Sequence, residues 1–168
     1  MIVLGIDPGT AIMGYSVLKK ERGIQVGTYG VLRTPAKMAP HLRLAKLYSG
    51  LEELVQHYAP DCLAVESLFF NKNVKTALSV GEARGVALLV AAQHGLEVFE
   101  YTPLQVKQSV TGEGRATKEQ VGYMVKALLK LKEVPQPDDA CDALAVGICH
   151  INSAESLAGL ARRGRIGH

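Results

Sequence analysis

Apolar residues alternate or run continuously over five short segments, and each segment predicts a β-strand. The first, Ile2–Asp7, is a continuous run rich in β-branched residues, which is typical of a strand buried on both faces. The other predicted strands are Ile12–Lys20, Gly27–Arg33, Cys62–Glu66 and Glu97–Tyr101. Because only short turns at Pro8-Gly9 and Gly23 separate the first three strands, we expect them to form an antiparallel meander.

Apolar residues recur at helical spacing in the intervening and later segments. The predicted helices are His41–His57, Val74–Gln93, Pro103–Val110, a segment that begins at Thr117, and a last helix from about Asp138 to Ile151. Thr117 and Gln120 have the spacing of a capping box. The order of elements indicates one α/β domain, residues 1–153, followed by a flexible tail, residues 154–168. The Arg-rich end of this tail suits either a solubilising tail or an extension that binds nucleic acid.

Composition narrows the class of protein only modestly. The chain has 168 residues and a formal net charge of +3, which permits nucleic-acid binding without requiring it. The three cysteines form no CxxC pair, so buried thiols in a reducing compartment are expected. The chain has no charged-then-apolar leader and no uninterrupted apolar stretch of about 20 residues, so we predict a cytoplasmic protein that does not enter a membrane.

Four acidic residues stand at the ends of apolar segments. Asp7 and Glu66 end predicted strands, while Asp139 and Asp142 open the last helix at a spacing that places them on one face. A carboxylate beside a core is costly unless a cation accompanies it, although Asp138 and Asp139 also suit the amino end of a helix. We therefore predict a phosphodiesterase site with two Mg²⁺ ions, for which Mn²⁺ substitutes, and we expect the four carboxylates in one metal-sized space.

Aromatic and basic residues suggest how this site holds DNA. Phe69 follows Glu66 closely and is expected to stack against bases, whereas Phe70 fits the core better. Candidate phosphate-binding residues are Lys72, Arg84, Lys107, Arg115 and Lys118. A solvated surface is the alternative for each of them, and Arg84 also suits pairing with a neighbouring acid.

The segment Val74–Gln93 is apolar nearly all round, which is typical of a helix buried on two sides. Its small residues allow another helix to approach closely, and they are Gly81, Ala83, Gly85 and Ala87. The second neighbour of this helix is either another copy of the chain or a further part of the same domain.

Several of these segments together resemble the RuvC family of Holliday-junction resolvases. The resemblance covers Ile2 to His150, and its motifs are Gly5-Ile6-Asp7-Pro8-Gly9-Thr10, Val65-Glu66-Ser67-Leu68-Phe69, Val98-Phe99-Glu100-Tyr101, Gln105-Val106-Lys107-Gln108 and Asp139-Ala140-Cys141-Asp142-Ala143-Leu144-Ala145. It implies an α/β, ribonuclease-H-like fold, with a mixed five-stranded sheet whose second strand is antiparallel and which helices flank. It also implies a homodimer that makes paired symmetric nicks at four-way junction DNA, cooperates with a branch-migration motor and prefers certain sequences.

The resemblance also assigns residues. By matching motifs, the metal-binding and catalytic acids are Asp7, Glu66, Asp139 and Asp142. Phe69 matches an aromatic residue that engages a base near the crossover, and Lys107 and Lys118 match basic residues at the active site and DNA surface. Asp138 is an extra acid beside the third position, where some relatives have histidine, so Asp138 and Asp139 both remain candidates there.

Two other functions are consistent with part of the sequence. The turn at Gly5–Thr10 is similar to that of actin-like nucleotide-binding ATPases, but the chain has no second glycine loop for phosphate. A non-catalytic module that binds DNA junctions is the other alternative, and the complete set of four acids disfavours it.

Overall fold

A computed structural model describes residues 1–67 and 74–164 of the chain. Its strands are β1 (Ile2–Asp7), β2 (Ile12–Lys20), β3 (Ile24–Arg33), β4 (Cys62–Glu66) and β5 (Glu97–Tyr101). Only β3 begins earlier than predicted. The pairing register between β2 and β3 shifts at Val17/Leu18, and Gly27 is the residue that the register skips. This glycine therefore lies at a β-bulge inside the strand rather than at its start.

The five strands form one mixed sheet in the order β3-β2-β1-β4-β5. Strands β1, β2 and β3 are the predicted antiparallel meander, while β4 pairs parallel to β1 and β5 pairs parallel to β4. The sheet therefore confirms the predicted fold, with an antiparallel second strand. Because β1 and β4 are parallel neighbours, their carboxyl ends meet at the same edge of the sheet.

The helices are α1 (Pro40–Tyr58), α2 (Val74–Gln93), α3 (Pro103–Thr111), α4 (Lys118–Leu128) and α5 (Asp138–Gly164). The predicted capping box of Thr117 and Gln120 is confirmed, and Thr102 and Gln105 form a second one. Helix α5 continues well past its predicted end at Ile151, because the following residues are mostly Ala, Leu, Glu and Arg, which favour helix. The helix continues without a break across residue 154, where the tail was predicted to begin. That the tail is flexible remains a prediction.

The helices cover the sheet in two layers. Helices α1 and α2 pack on one face, in a core cluster that includes Leu4, Ile6, Leu47, Leu51 and Ala83. Helices α3, α4 and α5 pack on the other face, in a cluster that includes Val3, Val106, Val125, Leu144 and Ile148. Burial of each large aliphatic side chain in these layers contributes about 1.5–3 kcal/mol.

Helix α5 lies unusually close to the sheet. A Cβ atom on Gly14 would lie 1.9 Å from the carbonyl oxygen of Asp139, and one on Gly5 would lie 2.6 Å from that of Ala143. The Ser16 hydroxyl donates a hydrogen bond of 2.8 Å to the Ala143 carbonyl. Only glycine permits these crossings, which bring the first turns of α5 over β1 and β2.

The interior also contains one polar group with both of its nitrogens partnered. His150 of α5 is 3% exposed. Its Nδ1 lies 2.8 Å from the Tyr101 hydroxyl, and its Nε2 lies 3.3 Å from Cys62 Sγ. The cysteines Cys62, Cys141 and Cys149 are all buried free thiols, as predicted. Within the described residues, no helix is both long enough and apolar enough to cross a membrane.

Candidate active site

Two of the four predicted acids meet at the carboxyl edge of the sheet. Ile6 of β1 pairs with Val65 of β4, so the next residues, Asp7 and Glu66, end adjacent parallel strands. Both side chains are partly buried. The parallel pairing of β1 and β4 therefore brings these two acids to the same edge of the sheet.

The other two acids reach the same edge from α5. Asp139 and Asp142 lie in the first turns of this helix and are partly buried, whereas Asp138 is exposed. The close crossing of α5 at Gly14 places the Asp139 backbone directly against β2, in register with Asp7 of β1. The structure therefore assembles the acids from three elements that are distant in sequence.

The electrostatics of Asp7 show how closely these acids influence one another. Burial raises the pKa of Asp7 from its ordinary value of 3.8 to about 8, with further contributions from the negative charges of Asp142, Glu66 and Asp139. The positive charge of Lys118 acts in the opposite direction. Asp7 is thus the centre of a cluster with more negative charge than its neighbours neutralise.

The two flanking acids are shifted in the same direction. Burial, followed by the charge of Asp142, raises the pKa of Glu66, while Lys118 and Lys107 lower it. Burial also raises the pKa of Asp142, against the charge and hydrogen bond of Lys118. Strongly perturbed acids that share one edge of a sheet are characteristic of functional sites.

The structure separates the two candidates for the third position. The exposed Asp138 carboxylate lies 3.8 Å from Lys118 Nζ and is not among the charges that perturb Asp7. Asp139 does perturb Asp7. Asp139 therefore lies on the side of α5 that faces the cluster, and Asp138 lies at its rim.

The expectation of a ready-made metal site is not met. Among residues 1–67 and 74–164, no three His, Cys, Asp or Glu side chains come together in an arrangement that holds a metal ion. Repulsion between like charges favours separation of the carboxylates, and Asp142 instead contacts Lys118 Nζ at 3.3 Å. The donor set still suits a hard cation, since it consists of carboxylate oxygens around an acid whose charge is poorly balanced.

Three predicted basic residues lie on the α3–α5 side of this edge. Lys118 opens α4 and contacts Asp142. Lys107 lies on α3, close enough to Glu66 to lower its pKa. Arg115 is exposed in the connection between α3 and α4. The structure therefore brings Lys107 and Lys118 to the acids and leaves Arg115 on the surface.

The remaining candidates are placed differently. The Arg84 guanidinium of α2 forms an ion pair with Glu100 of β5, as one of the two alternatives for it predicted. Its Nε is buried without a hydrogen-bond partner among the described residues. Phe69 and Lys72 lie outside the described residues, as does Phe70.

A second polar group next to the acids was not predicted. The Thr34 hydroxyl donates to the Thr10 carbonyl at 2.6 Å, and Arg43 Nε donates to the Thr34 oxygen at 2.8 Å. The Thr10 hydroxyl also forms a short hydrogen bond with that of Ser79. Thr10 belongs to the turn that follows Asp7. The one sequence signal was Arg43 itself, a cation in the first turn of a helix, where the macrodipole disfavours it.

Sequence comparison with known proteins gives matches to one family over most of the chain. The family model described as "Crossover junction endodeoxyribonuclease RuvC" matches residues 3–150. A protein of that name from Desulforamulus reducens is 55% identical over 163 residues, which is 95% of this chain and 98% of the relative. Another from Moorella thermoacetica is 57% identical over 155 residues, 92% of this chain and 93% of the relative.

A solved structure extends the likeness to three dimensions. It is described as "T. thermophilus RuvC in complex with Holliday junction substrate" and is 35% identical in sequence to this chain. The superposition has a TM-score of 0.87 and covers 92% of this chain and 94% of the other. At this coverage, the similarity extends over the sheet and the helices on both of its faces.

Proposed function

This chain belongs to the RuvC family of crossover junction endodeoxyribonucleases and is a Holliday junction resolvase. We propose that its catalytic site consists of four carboxylates, those of Asp7, Glu66, Asp139 and Asp142. The proposed reaction is hydrolysis of a phosphodiester in two strands, as paired symmetric nicks at a four-way junction. The other functions considered from the sequence, an actin-like ATPase and a non-catalytic DNA module, have no observation in the structure that favours them.

The observation that carries this proposal is the state of Asp7. Its pKa of about 8 reflects burial and three neighbouring acids, so ionising it in the folded protein is costly. If this carboxylate served only the fold, substitution with a neutral residue would increase the free energy of unfolding. A role that requires negative charge at the central strand explains why an acid is there.

Nuclease activity in this family depends on divalent metal ions. We propose two Mg²⁺ ions per site, for which Mn²⁺ substitutes, because every donor in the cluster is a carboxylate oxygen. Bound ions of this kind supply an activated water and stabilise charge on the phosphate and leaving oxygen. Asp7, Glu66, Asp139 and Asp142 would hold these ions, with Asp7 central because it ends β1, next to the strand-end acid Glu66 and the α5 acids.

The third donor in this proposal is Asp139 rather than Asp138. Support comes from its partial burial and from its effect on the pKa of Asp7, whereas Asp138 is exposed beside Lys118. Lys118 has a different role: its ammonium group, now 3.3 Å from Asp142, is placed to neutralise charge at the edge of the cluster. Lys107 acts similarly beside Glu66.

DNA binding is proposed to extend outward from the acids. Lys107 and Lys118 contact phosphates at the cleaved strand, and Arg115 contacts the backbone further away. Arg84 reaches DNA only if its ion pair with Glu100 exchanges for a phosphate. Phe69 stacks against a base near the crossover, and Lys72 binds phosphate beside it; both assignments rest on the sequence.

A homodimer is the proposed working form. One face of α2 remains exposed in the single chain, with Leu89 52% exposed and Gly85 and Ala92 beside it along the helix. Small residues flanking an exposed leucine allow a second α2 to approach closely. Two copies related by a two-fold axis would present two acid sites to the nearly two-fold symmetric junction, which explains paired nicks.

Cellular context follows from the family. We propose that the dimer cooperates with a branch-migration motor, works in the cytoplasm and prefers certain sequences at the cut. In this scheme residues 1–153 form the nuclease domain, and the end of the chain, residues 154–168, is a flexible tail.

The catalytic proposal is tested by replacement of Asp7 with asparagine. Asp7→Asn should bind an immobile four-way junction but cut it at least ~1,000-fold more slowly, a loss of about 4 kcal/mol in transition-state stabilisation. Single-turnover cleavage of the junction and of linear duplex, each with Mg²⁺, with Mn²⁺ and with EDTA, measures this. Glu53→Gln, which replaces an exposed acid of α1, is the matched control and should cut normally. An Asp7→Asn protein that cuts as fast as wild type would exclude the assigned site.

The dimer proposal is tested separately. Leu89→Glu places a charge on the exposed face of α2 and should shift the protein to a monomer in sedimentation equilibrium. Leu104→Glu, at a leucine of α3 that is 58% exposed on the opposite layer, should leave the dimer intact. If both variants sediment as wild type, α2 is not the dimer contact.

A further inference from the structure

A cavity of about 290 Å³ opens beside the turn that follows Asp7, on the α1–α2 side of the sheet. It is lined by Thr10, Pro40, Arg43, Leu78, Ser79 and Glu82. Three of these side chains, those of Thr10, Arg43 and Ser79, carry N–H or O–H donors, and none of the six is used by the catalytic site proposed above.

The guanidinium of Arg43 is oriented by the active-site turn itself. Its Nε donates to the Thr34 hydroxyl, which in turn donates to the Thr10 carbonyl three residues after Asp7. Within residues 1–67 and 74–164, its two terminal nitrogens have no hydrogen-bond partner and no acid within salt-bridge distance. Arg43 is thus a cation held in place at one nitrogen, with a two-nitrogen edge left for a ligand.

The amino end of α1 adds to this positive field. Arg43 lies in the first turn of α1, where a cation opposes the helix macrodipole. Helix α1 has no acidic residue in its first turn, and Ala39 caps it without a side-chain hydrogen bond. The amino end of α1 therefore remains uncompensated beside the cavity, an arrangement that suits an anion.

The hydroxyls of Thr10 and Ser79 complete the donor set. They are hydrogen-bonded to each other across the cavity wall, so one hydroxyl hydrogen is available to a third group. Together with the two terminal nitrogens of the Arg43 guanidinium, these hydroxyls can donate hydrogen bonds to the tetrahedrally arranged oxygens of a phosphate.

The position of the cavity identifies which phosphate it would meet. Lys107 and Lys118 flank the acids from the α3–α5 layer, whereas Arg43 and Ser79 flank them from the α1–α2 layer. A DNA strand that crosses the carboxyl edge of the sheet at Asp7 passes from one layer to the other. We propose that Arg43, Thr10 and Ser79 bind a backbone phosphate of the junction on the opposite side of the cleavage site from the two lysines.

This inference rests on the proposed catalytic site, because Asp7 defines where the strand crosses. Among the described residues that line the cavity, Glu82 is the one opposing group, because its carboxylate is exposed there. Its presence keeps the phosphate contact weak, so neutralising Glu82 should tighten junction binding. A cation site at Glu82 would show the reverse dependence.

The test measures binding alone, in EDTA, where no cleavage occurs, so it does not depend on the outcome for Asp7→Asn. Fluorescence anisotropy follows binding of an immobile four-way junction from 50 to 300 mM NaCl, roughly the range over which phosphate contacts weaken strongly. Arg43→Gln should weaken binding about 3–10-fold and lower the slope of log affinity against log salt by about 0.9, the value for one lost phosphate contact. Glu82→Gln should strengthen binding by about 2–3-fold.

Two controls keep this result specific. Arg22→Gln removes an exposed charge from the turn between β2 and β3, at the opposite end of the sheet, and should leave the salt slope unchanged. Arg43→Lys preserves the charge and should restore the slope while recovering only part of the affinity, and thermal melting of each variant confirms folding. An Arg43→Gln slope equal to that of wild type, or equal losses in Arg43→Gln and Arg22→Gln, would overturn the proposed contact.

Discussion

Helix α5 contributes to two groups of buried ionisable side chains that differ in how their charge is satisfied. Near its amino end, Asp142 joins the acids around Asp7, whose electrostatic neighbours are mostly acids themselves. Two turns further along, His150 has both ring nitrogens partnered, one by Tyr101 and one by Cys62. The same helix therefore contributes to one group whose hydrogen bonds are complete and to another in which like charges repel one another.

This difference distinguishes polar groups that stabilise the fold from polar groups that serve function. A neutral imidazole has one donor and one acceptor nitrogen, and the His150 site supplies a partner for each, so burial is compensated. Among the described residues, the charges that act on Asp7 are three acids and the ammonium of Lys118, so these neighbours do not compensate its burial. We infer that the first group holds β4, β5 and α5 together, and that the second is retained for binding cations and DNA.

The largest expected effect distinguishes the two acids at the start of α5. Asp139→Asn should slow junction cleavage by roughly 100-fold or more, about 2.7 kcal/mol, because Asp139 faces Asp7. Asp138→Asn should change the rate by less than about 3-fold, because Asp138 is exposed at the rim. Single-turnover cleavage in Mg²⁺ measures both. A reversed order would assign the third position to Asp138.

This pair also shows what the sequence leaves open. Adjacent residues on a helix point about 100° apart, so a shift of one residue in the start of α5 exchanges Asp138 for Asp139. What favours Asp139 is the close crossing at Gly14, a contact between residues far apart in the chain. Asp7 and Glu66 could be predicted because parallel strand ends meet at one edge whatever the details of packing.

The contacts around Thr10 could not be predicted from the sequence, for a related reason. Arg43, Thr34 and Ser79 become neighbours of Thr10 only when α1 and α2 pack on the same face of the sheet, and no local pattern encodes that contact. The ion pair of Lys118 with Asp142 likewise joins two helices. The extra length of α5, by contrast, agrees with local residue propensities, because Ala, Leu, Glu and Arg in its last turns favour helix.

The two groups should respond to pH with opposite signs in metal-free buffer. The folded pKa of Asp7, about 8, exceeds its ordinary value of 3.8, so the folded state binds a proton that the unfolded state releases, and stability falls as pH rises toward 8. Burial lowers the pKa of His150 below its ordinary 6.5, so stability falls as the pH drops below that value.

Asp7→Asn removes the first effect and leaves the second. We expect the variant to be more stable than wild type at pH 7 by about 1–3 kcal/mol, with the difference growing between pH 5 and 8 by up to roughly 1 kcal/mol per pH unit. Urea unfolding in EDTA at pH 5, 6, 7 and 8 measures it. If the two proteins have parallel stability curves, Asp7 does not carry the raised pKa. Added Mg²⁺ should stabilise wild type more than the variant, since it binds the folded state.

The smallest expected effect concerns the satisfied group. Tyr101→Phe deletes the hydroxyl that partners His150 Nδ1 at 2.8 Å and leaves a buried nitrogen without a partner, which should cost about 1–2 kcal/mol of stability. Cleavage by the folded enzyme should stay within about 2-fold of wild type, because the described hydrogen bonds of His150 go to Tyr101 and Cys62 and not to the acids. The matched control is Tyr123→Phe, which removes a hydroxyl from a side chain that is 66% exposed and should leave stability unchanged. A Tyr101→Phe protein as stable as wild type but slow in cleavage would reverse the two roles, since the histidine network would then serve catalysis rather than the fold.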